Sequence, residues 1–233
     1  MPVIPIVTCR DCTQRCDGKS LRRYPQEQYY IIGENQEAKM MALLQSKVEG
    51  IFTCQKSAGW GKAHKKPDLE LRSISLPSKI VVRLEVKHIR RAWMQVEKYL
   101  EAPLVAWETI AVNTAKIRRY AELYEEENIP IHLVWRVDRA CLPGRFFYQD
   151  IRTLKDIVDH HGKDREYERE GEDGDKIAFH YSVNELKSFD VDTYLSLFLP
   201  PTKCNQPTAF VNDKYSYSEY EFTDADAPPE YGD

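Results

Sequence analysis

The sequence predicts an α/β fold, because helical and strand-like patterns alternate along much of the chain. Apolar residues recur at helical spacing in residues 34–48 and 113–128. Runs rich in Val, Ile and Leu occupy residues 79–88 and 131–137, and this composition is typical of strands. At 233 residues, the chain is long enough for one domain with a substantial hydrophobic core.

The first predicted helix covers residues 34–48, and Gly50 follows its end. Four apolar residues share one of its faces: Ala38, Met41, Leu44 and Val48. We expect a short strand at residues 51–54 and then a basic loop at residues 55–66. Residues 1–28 contain three cysteines and several basic residues, and they predict no regular element.

Two strands joined by a turn follow the basic loop. The first strand covers residues 68–74 and the second covers residues 79–88, with Pro77 in the turn between them. The two strands therefore predict a hairpin. It carries Asp68 on one arm and Glu85 on the other.

The second arm of this hairpin has three charged residues on one face, namely Arg83, Glu85 and Lys87. They share a face because residues two apart in a strand point the same way, and the residues between them are apolar. A central strand in an α/β fold is normally apolar on both faces. The charged face therefore indicates a strand at the edge of the sheet, a solvated face, or a functional site.

The rest of the chain continues the alternating pattern. Residues 90–112 show no clear pattern apart from an amphipathic segment at residues 95–99, which Pro103 ends. A helix at residues 113–128 then leads to a buried strand at residues 131–137. We expect another strand at residues 146–151 and a helix at residues 153–160. The last predicted elements are a charged loop, a short strand and one or two short helices, at residues 164–175, 177–181 and 183–199.

The predicted hairpin would bring together the side chains of Asp68, Glu85 and Lys87. Carboxylate oxygens are the preferred ligands of hard divalent cations such as Mg²⁺. A bound divalent cation activates a water molecule and neutralises phosphate charge, which is what hydrolysis of a phosphodiester requires. Glu70 shares a strand face with Asp68, and we expect it to be a solvated acid rather than a further ligand.

Pro67-Asp68 followed by Glu85-Val86-Lys87 resembles the motif of the PD-(D/E)xK nuclease superfamily. The predicted order of helix, two strands, helix and strand is similar to the core of that superfamily. The resemblance implies a restriction-endonuclease-like core, in which a central mixed β-sheet is flanked by helices. It also implies a Mg²⁺- or Mn²⁺-dependent deoxyribonuclease, with endonuclease activity favoured over exonuclease activity.

The resemblance also implies roles for the motif residues. Asp68 and Glu85 would bind the metal ion, with the main-chain carbonyl of Val86 as a third ligand. Lys87 would hold the attacking water or a non-bridging phosphate oxygen through electrostatic attraction.

Two further parts of the site have alternatives that the sequence leaves open. In the first helix the spacing after Gly33 favours Glu37 as an additional acidic residue, and Glu34 competes for that role. Lys116 and Tyr120 resemble the helix that lines the site in RecB-type members, although the usual first residue there is Gln. Residues 95–99 have the literal Gln-x-x-x-Tyr spacing but lie closer to the motif in sequence.

The charge distribution favours a polyanionic substrate such as DNA. Residues 1–100 carry 18 basic and 10 acidic residues, whereas residues 101–233 carry 15 basic and 27 acidic residues. Trp60 lies between two glycines in the basic loop and would either stack on a base or anchor the core. The predicted substrate-binding residues are Lys62, Lys65, Lys66, Lys116 and Tyr120.

Three cysteines near the start of the chain, Cys9, Cys12 and Cys16, have the close spacing of a structural metal site. The fourth ligand would be Cys54 or His64. Zn²⁺ is the first choice of metal and an iron–sulfur cluster the second. The alternative is a set of reduced thiols that bind no metal.

We expect three parts in the chain: a Cys-containing segment at residues 1–28, a nuclease-like domain at residues 29–200, and an acidic, disordered tail at residues 201–233. No apolar run is long enough to span a bilayer, and the first residues lack the basic leader of a signal peptide. These features predict a cytoplasmic protein.

Cutting both strands of DNA usually takes two active sites, so we expect a homodimer. Two other kinds of function remain open on the sequence alone. One is a catalytically inactive nuclease-like module that binds nucleic acid or acts as a scaffold. The other is an unrelated α/β protein in which the motif is accidental.

Overall fold

A computed structural model of the chain describes residues 26–48, 50–58, 66–89, 96–106, 108–139, 142–169 and 176–198. These ranges contain two β-sheets and five α-helices. No helix within them combines the length and the apolar character that crossing a membrane requires.

The larger sheet has six strands. In order across the sheet they are β1 (Phe52–Lys56), β2 (Leu69–Ser73), β3 (Ile80–Ile89), β5 (Ile131–Arg139), β6 (Leu142–Asp150) and β9 (Lys187–Ser188). Strands β3 and β5 are parallel, and every other neighbouring pair in this sheet is antiparallel. The predicted α/β fold with a mixed sheet flanked by helices is therefore confirmed, and so is the predicted β2–β3 hairpin.

A smaller antiparallel sheet has three strands, in the order β4 (Thr109–Asn113), β8 (Lys176–Ser182) and β7 (Glu166–Arg169). The sequence predicts the core of β8 but misses both of its partners. Strand β7 lies in the predicted charged loop, because Glu-Tyr-Glu-Arg has no apolar alternation and becomes a strand only by pairing with β8. Strand β4 lies in the stretch that shows no clear sequence pattern.

The helices are α1 (Gln26–Val48), α2 (Val96–Tyr99), α3 (Thr114–Glu127), α4 (Ile151–His161) and α5 (Val191–Ser196). Helix α1 starts eight residues before its predicted start, so the prediction of an irregular segment through residue 28 is wrong at its end. The predicted helical face is also shifted, because Ala38 is exposed whereas Met40, Leu44 and Val48 are buried.

Helix α3 has well-defined ends that match the predicted helix at residues 113–128. At its start the side chain of Asn113 accepts a hydrogen bond from the N–H of Lys116. At its end Asn128 adopts the left-handed conformation with φ of 51°, which Asn tolerates better than most residues. The face of α3 that packs against the larger sheet carries Tyr120, with Lys116 beside it.

Apolar cores cover both faces of the larger sheet. One core packs α1 and α5 against residues such as Leu69, Leu84 and Val134. The other packs α3, α4 and the smaller sheet against residues such as Leu133 and Trp135. Strand β3 lies between them, and its Val82, Leu84 and Val86 point into the first core. Its charged residues point the opposite way, towards α3.

Candidate active site

Glu85 lies in the middle of the larger sheet and is fully buried, with 0% of its side chain exposed. Arg83, two residues earlier on the same face, is buried as well. Strand β3 is not at the edge of the sheet, and solvent reaches this face only at the end where Lys87 is partly exposed. A buried charge is costly unless it is paired and hydrogen-bonded, so the contacts of Glu85 determine what this face can do.

Both carboxylate oxygens of Glu85 accept hydrogen bonds. The ammonium groups of Lys87 and Lys116 both donate to Oε1. The hydroxyl of Tyr120 donates to Oε2 at 2.6 Å. Burial by itself raises the pKa of the Glu85 carboxyl, but the two lysines lower it to about 2, so Glu85 is ionised at neutral pH.

Asp68 lies just before β2, next to the first residue of this strand that pairs with β3. The register pairs Leu69 with Leu84, so the next position outward places Asp68 opposite Glu85. Its Oδ2 accepts a hydrogen bond from the N–H of Val86 at 2.8 Å. The carboxylate of Asp68 thus accepts the hydrogen bond that a main-chain carbonyl of a neighbouring strand would otherwise accept from Val86. This bond fixes Asp68 beside Glu85.

The pKa of Asp68 is raised to about 7. Burial is the main cause, and the carboxylates of Glu85 and Glu37 add to it, whereas Lys87 and the N–H of Val86 act in the opposite direction. Burial and two neighbouring carboxylates therefore disfavour the ionised form of Asp68. A bound cation would favour that form.

Glu37 on α1 is an electrostatic neighbour of this cluster. Burial raises the pKa of its carboxyl, Lys56 lowers it, and Glu85 raises it further. Its Oε2 is buried without a hydrogen-bond partner and lies 3.8 Å from the ammonium of Lys56. Glu34, one turn earlier, is exposed. Of the two predicted alternatives, Glu37 is the one that faces the cluster.

The structure also distinguishes the two segments that resemble the helix lining the site. Lys116 and Tyr120 on α3 both contact Glu85. Tyr99 instead packs against the ring of Tyr167, with 5.2 Å between ring centroids, and Gln95 lies outside the described residues.

The predicted basic loop is only partly described. Lys66 pairs with Glu127 at 3.3 Å, and its main-chain carbonyl accepts a hydrogen bond from the hydroxyl of Tyr120 at 3.5 Å. Lys66 therefore lies next to α3 and immediately before the motif. Lys62 and Lys65, which are predicted to bind substrate, lie outside the described residues, as do Trp60 and His64.

The expectation that Glu70 is a solvated acid is wrong. Its side chain is 1% exposed and accepts hydrogen bonds from Arg83 at 3.1 Å and from Arg72 at 2.7 Å. Arg83 also donates to Glu127, which in turn pairs with Lys66. This ion-pair network joins β2, β3 and the end of α3 to the segment before Asp68. In the sequence, the indication of this network is the charge of Arg83 on a strand face that a central strand would normally keep apolar.

The donor atoms of the cluster fit a hard cation. Within the described ranges, no three acidic, histidine or cysteine side chains form a group that could by itself hold a metal ion. Mg²⁺ does not need one, since it is usually bound by one or two carboxylates together with water and substrate phosphate. Asp68 and Glu85 supply two carboxylates, and Glu37 supplies a buried oxygen without a hydrogen-bond partner.

Cys54 is placed in the core rather than near a metal-binding group. It is buried among the apolar residues that pack α1 against the sheet, and burial raises the pKa of its thiol to about 12. A metal ligand must be a thiolate, so this environment argues against Cys54 as the fourth ligand. Cys9, Cys12 and Cys16 lie outside the described residues, and their metal site stays a prediction.

No protein-family model and no curated protein matches the sequence. Among solved structures, the chain is similar to Hjc, a Holliday junction resolvase from Archaeoglobus fulgidus, with 11% identity and a TM-score of 0.40 over 72% of this chain and 98% of that chain. It is also similar to D212, a nuclease from a fusselovirus, with 10% identity and a TM-score of 0.43 over 77% of this chain and 96% of that chain. At these values, both structures share only a distant similarity of chain path with this protein.

Proposed function

We propose that this protein is a divalent-metal-dependent deoxyribonuclease of the PD-(D/E)xK type that cuts DNA internally. The observation that carries the proposal is the meeting of Asp68, Glu85 and Lys87 where β2 begins beside β3. A lone Asp and a Glu-x-Lys triplet are common in sequences. Two buried carboxylates and an ammonium group gathered at one point of a central sheet are not a common structural arrangement, because burying them is costly.

Asp68 and Glu85 would hold Mg²⁺ or Mn²⁺. The carbonyl of Val86 is a fitting third ligand, because in an extended strand the N–H and C=O of one residue point to the same side, and the N–H of Val86 faces Asp68. When bound, the metal ion lowers the pKa of a coordinated water molecule and neutralises charge on the phosphate. The carboxyl of Glu37 interacts electrostatically with Glu85 and Lys87, and it would contact the metal ion through a water molecule.

The chain's own residues supply the remaining contacts. Lys87 is about one third exposed, and its ammonium group is positioned to hold a water molecule or a non-bridging phosphate oxygen. Tyr120 keeps the Glu85 carboxylate oriented through its hydrogen bond to Oε2. Lys66 and Lys116, together with Lys62 and Lys65 from the loop before them, would contact the DNA backbone.

Cleavage of closed circular DNA tests the proposal. We expect nicking or linearisation with Mg²⁺ or Mn²⁺ and none with EDTA, and a circular substrate separates internal cutting from digestion at ends. Asp68→Asn, Glu85→Gln and Lys87→Ala should each lower the rate at least about a hundredfold. The matched control is Lys79→Ala, which removes a lysine from the same hairpin about 26 Å along β3 from Lys87. Full metal-dependent activity in any of the three site variants would contradict the proposal.

One observation favours a second function, that of an inactive module that binds nucleic acid or acts as a scaffold. Lys87, Lys116 and Tyr120 already satisfy both oxygens of Glu85, as they would in a purely structural ion cluster. Such a module would bind DNA in EDTA as well as in Mg²⁺ and would cut in neither.

A homodimer is part of the proposed nuclease function, since cutting both strands takes two sites.

A further inference from the structure

Two lysine ammonium groups share a single oxygen of Glu85. Lys87 reaches Oε1 from the same strand, and Lys116 reaches it from α3. Two like charges on one oxygen repel each other, and the Glu85 carboxylate neutralises only one of them, although Asp68 also attracts both. A divalent cation that binds Oε1 of Glu85 has to take the place of one of these ammonium groups, because this oxygen already accepts from both.

Lys116 differs from Lys87 in its position at the start of a helix. It is the third residue of α3, and the positive end of a helix dipole disfavours a cation in the first turn. Its side chain is 26% exposed, close to the 31% of Lys87, so its end has room to turn towards solvent. Its main chain is fixed independently, because its N–H donates to the side chain of Asn113 at 3.2 Å. Releasing the ammonium group therefore requires a rotation of one side chain and no change in the helix.

We propose that Lys116 is a displaceable counter-ion of Glu85, which neutralises this carboxylate when no metal is bound and transfers to a substrate phosphate when the metal arrives. The inference rests on the proposed nuclease function and adds a coupling to it. The ammonium group of Lys116 competes with the metal in the absence of DNA. In the presence of DNA the competition ends, because a phosphate oxygen offers the lysine another anion.

A thermodynamic consequence follows. If DNA draws Lys116 away from Glu85, DNA raises the affinity for the metal, and the metal raises the affinity for DNA by the same factor. The protein would then bind its metal tightly only with substrate present. Couplings of this kind are typically about 5- to 150-fold.

The test measures Mn²⁺ binding without DNA, from the EPR signal of free Mn²⁺. Lys116→Met removes the competing charge and keeps an unbranched side chain, and we expect it to bind Mn²⁺ roughly tenfold more tightly than the unmodified protein. Lys116→Arg keeps the charge and should bind with nearly unchanged affinity. Arg118→Met removes an equal charge from an exposed position on the same helix and should also leave the affinity unchanged.

The outcomes separate this inference from the proposed function. If the unmodified protein binds Mn²⁺, Asp68→Asn does not, and Lys116→Met binds no more tightly than the unmodified protein, the counter-ion role is wrong and the metal site stands. If neither the unmodified protein nor Lys116→Met binds Mn²⁺, both proposals fail. Circular dichroism of each variant confirms that it is folded.

The effect of a bound metal ion on the affinity for DNA is measured with Ca²⁺ and a short DNA duplex. A gel confirms that the DNA stays intact. We expect Ca²⁺ to tighten DNA binding by the unmodified protein, and to tighten it several-fold less in Lys116→Met. An equal effect of Ca²⁺ on both proteins would overturn the coupling.

Discussion

Asp68 lies directly across the β2–β3 hairpin from Glu85, and the N–H of Val86 fixes its carboxylate there at 2.8 Å. Asp68 precedes β2 and Glu85 lies in β3, and both carboxylates act to raise the pKa of Lys87. Burial together with the Glu85 carboxylate raises the pKa of Asp68, whereas two lysines keep Glu85 ionised. Two neighbouring carboxylates are thus held in opposite electrostatic conditions, and a cation between them would stabilise both in the ionised form.

Asp68→Asn should make the metal-free protein more stable at high pH and change little at low pH. The pKa of this carboxyl is about 7 in the folded protein, compared with 3.8 for an ordinary aspartic acid, so folding favours the protonated acid. The unmodified protein therefore loses stability relative to Asp68→Asn as pH rises from about 4 to about 7. We expect a difference on the order of 2–4 kcal/mol at pH 8.

Urea denaturation in EDTA, repeated at pH 4.5 and pH 8, measures this difference. Asparagine keeps the oxygen that accepts from Val86, so the hydrogen bond itself is not removed. A difference that does not change with pH would mean that Asp68 titrates in the folded protein as it does in an unfolded chain. Added Mg²⁺ should stabilise the unmodified protein at pH 8 and not Asp68→Asn, because a ligand stabilises only the state that binds it.

Glu85→Gln should destabilise the protein although the shape of the side chain is kept. It leaves the ammonium groups of Lys87 and Lys116 without their shared carboxylate. Breaking a fully buried ion pair costs about 3–5 kcal/mol, and the partial exposure of both lysines reduces the expected loss in unfolding free energy to about 2 kcal/mol. Equal urea midpoints for Glu85→Gln and the unmodified protein would show that the cluster contributes no stability.

Arg83→Leu should cost about 2–3 kcal/mol in unfolding free energy, because it leaves the buried carboxylate of Glu70 with Arg72 as its remaining partner. It also removes the ion pair with Glu127. The double variant Glu70→Leu/Arg83→Leu should be less destabilised than the sum of the two single variants, since it leaves fewer uncompensated charges. Calorimetric melting of all three variants completes the cycle. Additive losses would mean that the two side chains act independently.

Cys54 should resist alkylation by iodoacetamide until the protein unfolds. Its thiol is buried and has a pKa of about 12, so almost no thiolate is present at neutral pH. Mass spectrometry of the peptide that contains Cys54 gives the extent of labelling with and without urea. Rapid labelling under native conditions would contradict its placement in the core.

A related measurement concerns the N-terminal cysteines. If Cys9, Cys12 and Cys16 bind Zn²⁺, Cys54→Ala should retain the full zinc content by elemental analysis, and Cys12→Ser should lose it. Loss of zinc from Cys54→Ala would restore Cys54 as the fourth ligand.

The parts of the fold that the sequence predicts are those set by local signals. The β2–β3 hairpin has two alternating runs around a turn at Pro77, and α3 has an Asn at each end that caps it. Both could be located from the chain alone, and with them the positions of Asp68 and Glu85. Strand β7 could not, because its charged residues form a strand only against β8.

The contacts of the site depend on long-range packing, which explains what the sequence misses. Lys116 is 31 residues from Glu85, and the two meet only because the chain crosses over from β3 to the parallel strand β5 through α3. The same holds for Arg83 and Glu127, which are 44 residues apart. The charged face of β3 indicated that partners must exist, and the resemblance narrowed the helix that supplies them to two segments without deciding between them.

The most direct test of the account is a crystal of the protein soaked in Mn²⁺ and measured at a wavelength where manganese scatters anomalously. The account predicts an anomalous peak between the carboxylates of Asp68 and Glu85, within bonding distance of both. A protein that takes up Mn²⁺ elsewhere, or shows no peak between these two side chains at saturating Mn²⁺, would contradict it.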